Sequence, residues 1–392
     1  MMRFLFRALW IIVALFSSLN VMSQERLTLL HSLSSVELSA MLLEVVEREK
    51  LPIDIVYLDN DLVKGELMSA ALSDKLPDMM ILPNDYLGLP IPFKPLPTQW
   101  FDEIQPLYMN SDLLNSRRGV PVIGGNQLLL YYNKNFVSEP ITDFAQLIDT
   151  DFGLPTGVST IRWSVREPYW LQPFFSRDRS SFFAAGLPQL DRAEMWRALA
   201  TYRRLIDGSN MDISCDYSCA FNDFLMGKTA YTVNGDWAMR ELRAMLGNNL
   251  GVTSLPKMDG YDLHPYYGSQ IFAVPSTSVL PPEKLLVIER FLAAILSDSF
   301  QRQLWLRANL IPTRLGVVDS LEDPLLSDMQ SQIESGVYMP HTSEMVVVWE
   351  SIGVALTRFL DGFYDEREAA QFMQMMTINS LREQRRENKH AR

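Results

Sequence analysis

At 392 residues the chain is long enough for two domains with a substantial core in each. Hydrophobic residues make up 47% and charged residues 21%, the balance of an ordinary globular protein. A formal charge of −12 argues against a nucleic-acid partner, and the one basic run, Arg385 to Arg392, reads as a frayed, solvated end.

In chain order, Arg3 and Arg7 flank an apolar run from Ala8 to Phe16, and Val21-Met22-Ser23 offers a cleavage site before Gln24. This pattern fits a secretory signal peptide over 1–23, because the apolar run falls short of the roughly 20 residues a membrane span needs. No Cys follows it to carry a lipid. Export places Cys215 and Cys219, four residues apart, in an oxidising compartment where a bridge within a turn is feasible. Two thiols without a nearby His make a poor metal site, and no metal or cofactor is expected.

The mature chain opens with a strand, Leu27 to His31, a helix with Leu38, Met41, Leu42 and Val45 as apolar positions, and a second strand, Ile53 to Leu58. A helix from Val63 to Leu72 and an apolar run from Met79 to Leu82 complete a β-α-β-α-β order, which predicts a parallel sheet faced by helices. The Pro-rich LPIPFKPLPTQW is a surface loop. Val120 to Ile123 and Leu128 to Tyr132 are strands separated by Gly124-Gly125, and a second α/β unit begins near them. In GKTAYTVNGDWAMREL, alternation over Thr229, Tyr231 and Val233 predicts a strand, with Asp236 capping a helix that Gly247 ends. Trp237 follows the strand end, where α/β folds place ligand clefts; the alternative is a core residue. A later strand, Tyr266 to Val274, and the helix Pro282 to Leu296 resemble the first unit, so the chain crosses between units more than once.

Six segments carry a family resemblance: LPDMMILPND (Leu76 to Asp85), GVPVIGGNQLLLYYNK (Gly119 to Lys134), REPYWLQPFF (Arg166 to Phe175), DYSCAFNDFLMGKTAYTVNGDWA (Asp216 to Ala238), GVTSLPKMDG (Gly251 to Gly260) and YMPHTSEMVVVWESIGVAL (Tyr338 to Leu356). In this order the chain resembles the extracellular solute-binding proteins of ABC importers, most closely their maltose- and maltodextrin-binding branch. The resemblance implies an α/β, two-lobed periplasmic-binding-protein fold with a three-segment hinge and an interlobe ligand cleft. The implied crossings fall near Gly124 to Asn126, Gly268 to Ile271 and Pro312 to Gly316. They divide the chain into an N-lobe of 24–124 and 272–313, a C-lobe of 125–271 and 314–385, and a basic tail, 386–392.

The resemblance also implies a sugar-stacking wall of Tyr169, Tyr217, Trp237 and Trp349. Pyranoses suit such a wall because their C–H faces pack on flat rings while their hydroxyls seek polar partners. The implied polar residues are Asp85, Asn126 and Glu167. This set departs from the family pattern: Leu82 stands where an aromatic is usual, Asn126 replaces a carboxylate, Ser34-Ser35 replaces an Asp-Lys pair, and Gly353 lies near the place of an Arg.

The implied role is capture of a sugar or oligosaccharide in the periplasm by a monomer that delivers it to an ABC permease of the inner membrane, with a membrane sensor as the alternative recipient. A secreted carbohydrate-active enzyme is the remaining alternative. It lacks a motif, because His31, His264, His341 and His390 are dispersed and no HExxH, GxSxG or phosphate loop is present. Asp102-Glu103 reads as a solvated face and not as a glycosidase pair.

Overall fold

The computed structural model describes residues 26–390 apart from Ala185, 277–280 and His341. The expected signal peptide lies outside the described residues. The first strands, β1 (Leu27–His31), β2 (Ile53–Tyr57) and β3 (Met79–Pro83), are separated by the helices Val36–Arg48 and Asn60–Leu72. β1 pairs in parallel with both of the others, as the alternation of elements predicts. Ser35 caps the first helix by accepting the N–H of Leu38, and Leu38, Met41, Leu42 and Val45 bury one helix face. The second helix begins ahead of its expected start at Val63, because the Asp59 carbonyl already accepts the N–H of Val63.

The later strands are β4 (Val120–Gly125), β5 (Leu128–Asn133), β6 (Ser159–Arg162), β7 (Phe183–Ala184), β8 (Leu187–Pro188), β9 (Thr229–Gly235), β10 (Leu250–Thr253), β11 (Tyr266–Ala273) and β12 (Val337–Tyr338). β11 runs antiparallel to β3 on one side and β4 on the other, extending the first sheet. Its first residues, Tyr266 and Tyr267, pair instead with β12. The second sheet has the order β10-β5-β9-β6, and β7 with β8 forms a separate hairpin.

Between β4 in the first sheet and β5 in the second stand only Asn126 and Gln127. A second segment lies against this crossing, since Gly124 donates its N–H to Ile311 O at 2.8 Å and Thr313 Oγ1 donates to Pro121 O at 2.9 Å. The side-chain amide of Gln127 joins the crossing to the helix Pro324–Ser335, donating to Met329 O at 3.2 Å and accepting from Gln332 at 2.6 Å.

The double glycine in β4 answers a need for space as well as for backbone freedom. A Cβ on Gly124 would lie 2.2 Å from the Tyr108 hydroxyl, and one on Gly125 would lie 2.0 Å from Asp236 Oδ2. Gly125 also has φ +111°, outside the usual range of a side-chain-bearing residue. Gly125→Ala is therefore expected to lower the unfolding free energy by more than about 2 kcal/mol, read from denaturant midpoints.

One hydrophobic core includes the face of the first sheet under helices Val36–Arg48 and Pro282–Ile295 and extends to Leu129, Tyr131, Met239 and Leu242; a second includes Leu128, Leu130, Ile161 and Val233 of the second sheet. Trp237 packs against both. The final helix, Glu366–His390, buries Ala369, Ala370 and Met373. It is helical through His390 and exposed from Arg382 to Arg386, so the basic run begins on a solvated helix end, with its propagation favoured by the anchored turns before it. No helix among the described residues is long and apolar enough to cross a membrane.

Candidate functional site

The four aromatics singled out in the sequence come from distant segments and meet. Tyr169, in the helix Pro168–Phe175, has its ring centroid 6.1 Å from that of Trp237 and 5.8 Å from that of Trp349. Trp237 Nε1 donates to the Tyr217 hydroxyl at 3.2 Å. Trp349 is backed by Phe182 and Tyr266 at 5.6 and 6.1 Å, packing that fixes its ring. The rings thus form one continuous wall.

Local chemistry positions each member. Gly235 ends β9, and the Trp237 ring lies over it so closely that a Cβ there would be 2.1 Å from the indole. Tyr217 begins a helix whose cap, Asp216, accepts the N–H of Cys219 at 2.8 Å. Cys215 and Cys219 are joined as a disulfide around Tyr217, and the bonded sulfurs leave no thiolate for a metal beside Asp223. Replacing both cysteines by Ser is expected to lower the unfolding free energy by about 2 kcal/mol, the entropy of so small a loop, as measured by denaturant unfolding.

The polar residues divide. Asn126 sits at φ +55° in the β4–β5 crossing, and its carbonyl accepts a hydrogen bond from the Tyr169 hydroxyl. Asp85 lies in the turn Asn84–Gly88 after β3, with Oδ1 enclosed and without a hydrogen-bond partner among the described residues. Burial pushes its carboxyl up to about 6, against the pull of Lys64. Glu167 is exposed at the start of the Tyr169 helix. Leu82, standing where an aromatic was looked for, is buried in the first lobe and does not line the cavity described below.

The residue that sequence reasoning missed is Asp236. It was expected to cap a helix, but the helix Met239–Leu246 begins after a separate turn, Asp236–Ala238, and Asp236 is 9% exposed. Its N–H donates to Gln127 O at 3.0 Å. Burial pushes the carboxyl up to about 7, against the pull of the nearby backbone amides of Gln127, Trp237 and Asn126. Burial, reinforced by this carboxyl, also drives the hydroxyls of Tyr108 and Tyr169 well above the ordinary tyrosine range.

Between the sheets lies a cavity of about 20 Å³, lined by Asn126, Asp236, Trp237 and Gln270 together with Leu33, Ile123, Gly124 and Asn309 to Ile311. Ion pairs also link distant helices: Glu37 of Val36–Arg48 with Arg240 of Met239–Leu246 at 3.6 Å, and Lys64 of Asn60–Leu72 with Glu350 of Ser343–Leu360 at 3.5 Å. Glu37 also holds Arg307 at 2.6 Å.

No family model matches the chain. Among solved structures it is similar to the maltose/maltodextrin-binding domain MalE from Bdellovibrio bacteriovorus bound to maltotriose, with TM-score 0.80 and 21% identity over 91% of this chain and 100% of that one. It is also similar to the GacH receptor of Streptomyces glaucescens GLA.O, solved unliganded and with acarbose, with TM-score 0.77 and 20% identity over 88% of this chain and 96% of that one. The chain has the two-lobed periplasmic-binding-protein fold. Trp237 belongs to both the aromatic wall and the cavity lining. These neighbours are described as a binding domain and a receptor.

Proposed function

We propose that this chain is an exported substrate-binding protein that captures a sugar or oligosaccharide between its lobes and delivers it to an ABC permease. The observation that carries the proposal is the continuous wall of Tyr217, Trp237, Tyr169 and Trp349 beside the interlobe cavity. Flat rings of this kind receive the C–H faces of a pyranose, and Asp85, Asn126 and Glu167 supply polar partners around them. The structural neighbours described with maltotriose and with acarbose support the same ligand class.

In this reading the protein is a periplasmic monomer, with an N-lobe of 24–124 and 272–313 and a C-lobe of 125–271 and 314–385. Ligand favours the closed form because only that form touches it from both lobes. A membrane sensor could read the same closed form, and co-purification with a permease or with a sensor's exported domain separates the two outputs.

The test is a thermal-shift screen across sugars, amino acids and polyamines. A sugar at 100 times its dissociation constant is expected to stabilise the protein by about 2.7 kcal/mol. Incubation with the same sugar is expected to yield no new reducing ends. Stabilisation by a non-carbohydrate alone would overturn the sugar reading.

A further inference from the structure

The four rings of the wall are not held alike. Tyr169, Trp237 and Trp349 are half-buried, whereas Tyr217 is 37% exposed, so burial does least to fix it. Its ring lies parallel to that of Phe221, with planes 7° apart, and edge-on to that of Trp170, at centroid distances of 6.1 and 6.2 Å. Its hydroxyl accepts from Trp237 Nε1, so the place of Tyr217 bears on the place of a second ring.

Tyr217 is the first residue of the helix Tyr217–Leu225, and the two parts of that helix are secured by different means. From the second turn on, Ala220 and Phe224 are buried, and Asp223 pairs with Arg162 and, at 3.3 Å, with Lys228. Ahead of them Asp216, Tyr217 and Ser218 are all exposed. The Asp216 cap ties this stretch down, but through hydrogen bonding that water can replace at an exposed helix end. The disulfide between Cys215 and Cys219 closes over these same three residues, and water cannot replace it. Cys215 is 4% exposed, so the bridge seats them on the body of the protein.

We propose that the Cys215–Cys219 disulfide is the positioning element for Tyr217 and, through it, for Trp237, so that the oxidised chain binds its sugar tightly and the reduced chain, still folded, binds it weakly. This rests on the reading of the chain as a sugar-binding protein and adds a redox condition to that same site. With the bridge open, the first turn frays while the body of the helix stays anchored. The ligand must then order Tyr217 itself, and a placement populated about one time in ten lowers the apparent affinity about tenfold.

The test compares the oxidised wild type with two bridge-free forms: the variant carrying Cys215→Ser and Cys219→Ser, and the wild type reduced by dithiothreitol, which leaves two thiols and is itself oxidised to a cyclic disulfide. One readout needs no ligand. The indole N–H resonance of Trp237, assigned by its loss in Trp237→Phe, is expected to move upfield and to exchange faster with solvent in both bridge-free forms. Tyr217→Phe, which keeps the ring and the bridge but removes the acceptor, should move it in the same direction. An unchanged resonance in the bridge-free forms overturns the positioning role.

The other readout is calorimetric titration with maltotriose, expressed per folded molecule. Opening the bridge is expected to weaken binding about tenfold in the wild type and by less than about twofold in Tyr217→Ala, where the ring it places is gone. Equal affinity with and without the bridge overturns the proposal, and so does the same loss in both backgrounds, which is what general loosening would give. If the double-serine variant does not fold, the reduced wild type carries the comparison, and unfolding of both forms makes the bridge a device of the fold alone and overturns the proposal. If the oxidised wild type binds no maltotriose, that result counts against the sugar reading, and the resonance alone upholds or overturns the placement of Tyr217.

Discussion

Asp236→Asn is expected to stabilise the ligand-free protein by about 4 kcal/mol at pH 8 and by close to nothing at pH 4. The Asp236 carboxyl is 9% exposed and is raised from 3.8 to about 7, so between these values the folded protein binds a proton that the unfolded chain releases. The corresponding stability is fully present below the unfolded value and is lost as pH rises through about 7. Asn keeps an acceptor for the backbone amides and has no charge to lose. Asp85, raised to about 6, acts with the same sign, while buried His31, lowered from 6.5 to about 4, makes stability rise with pH between those values. The difference between wild type and variant isolates Asp236 from both. Urea unfolding across pH 4 to 8 measures it, and a pH-independent difference would mean that the carboxylate is solvated in the free protein.

The second large effect belongs to Trp237. Its ring packs against both cores, covers Gly235 and lines the cavity, so it serves the fold and the site together. Trp237→Ala should cost about 3 kcal/mol of stability, the lower end for a deleted large aromatic, because the ring is only partly buried. It should also cost about 1 to 3 kcal/mol of sugar binding. Denaturant unfolding without ligand, paired with calorimetry on the folded fraction, separates the two losses. Unchanged affinity per folded molecule would make Trp237 a core residue alone.

The sequence was most legible where local pattern and final environment agree. β1 was read with its observed bounds because its apolar run faces buried surroundings along its length, and the strand-helix alternation led directly to the parallel pairing of β1 with β2 and β3. The aromatic wall was legible only through the family resemblance, since nothing local brings Tyr169, Trp237 and Trp349 together. Asp236 was not legible at all. In Asn234-Gly235-Asp236 a surface turn and a helix cap are the natural local reading, whereas its backbone N–H is taken up by Gln127 O, over a hundred residues away in sequence. Gln270 was hidden for the same reason: it sits in an ordinary apolar segment, and only the joining of sheets brings it into the cavity lining.

In the proposed carrier, the triad of Glu37 with Arg240 and Arg307 would bear on how fast the ligand is let go. Parting of the proposed lobes would cost Glu37 its contact with Arg240 and leave Arg307, which is itself anchored by Glu44 at 2.7 Å. The departing Arg240, already 40% exposed, passes into water. Exchange of one partner for solvent at such a rim costs under about 1 kcal/mol, and the same holds for exposed Lys64 and Glu350. These charges can therefore guide the lobes into register without setting the dwell time of the shut form. If the chain is the carrier proposed above, that dwell time would fall to the occupant of the cleft, whose departure rate, more than the strength of the rim, would govern turnover.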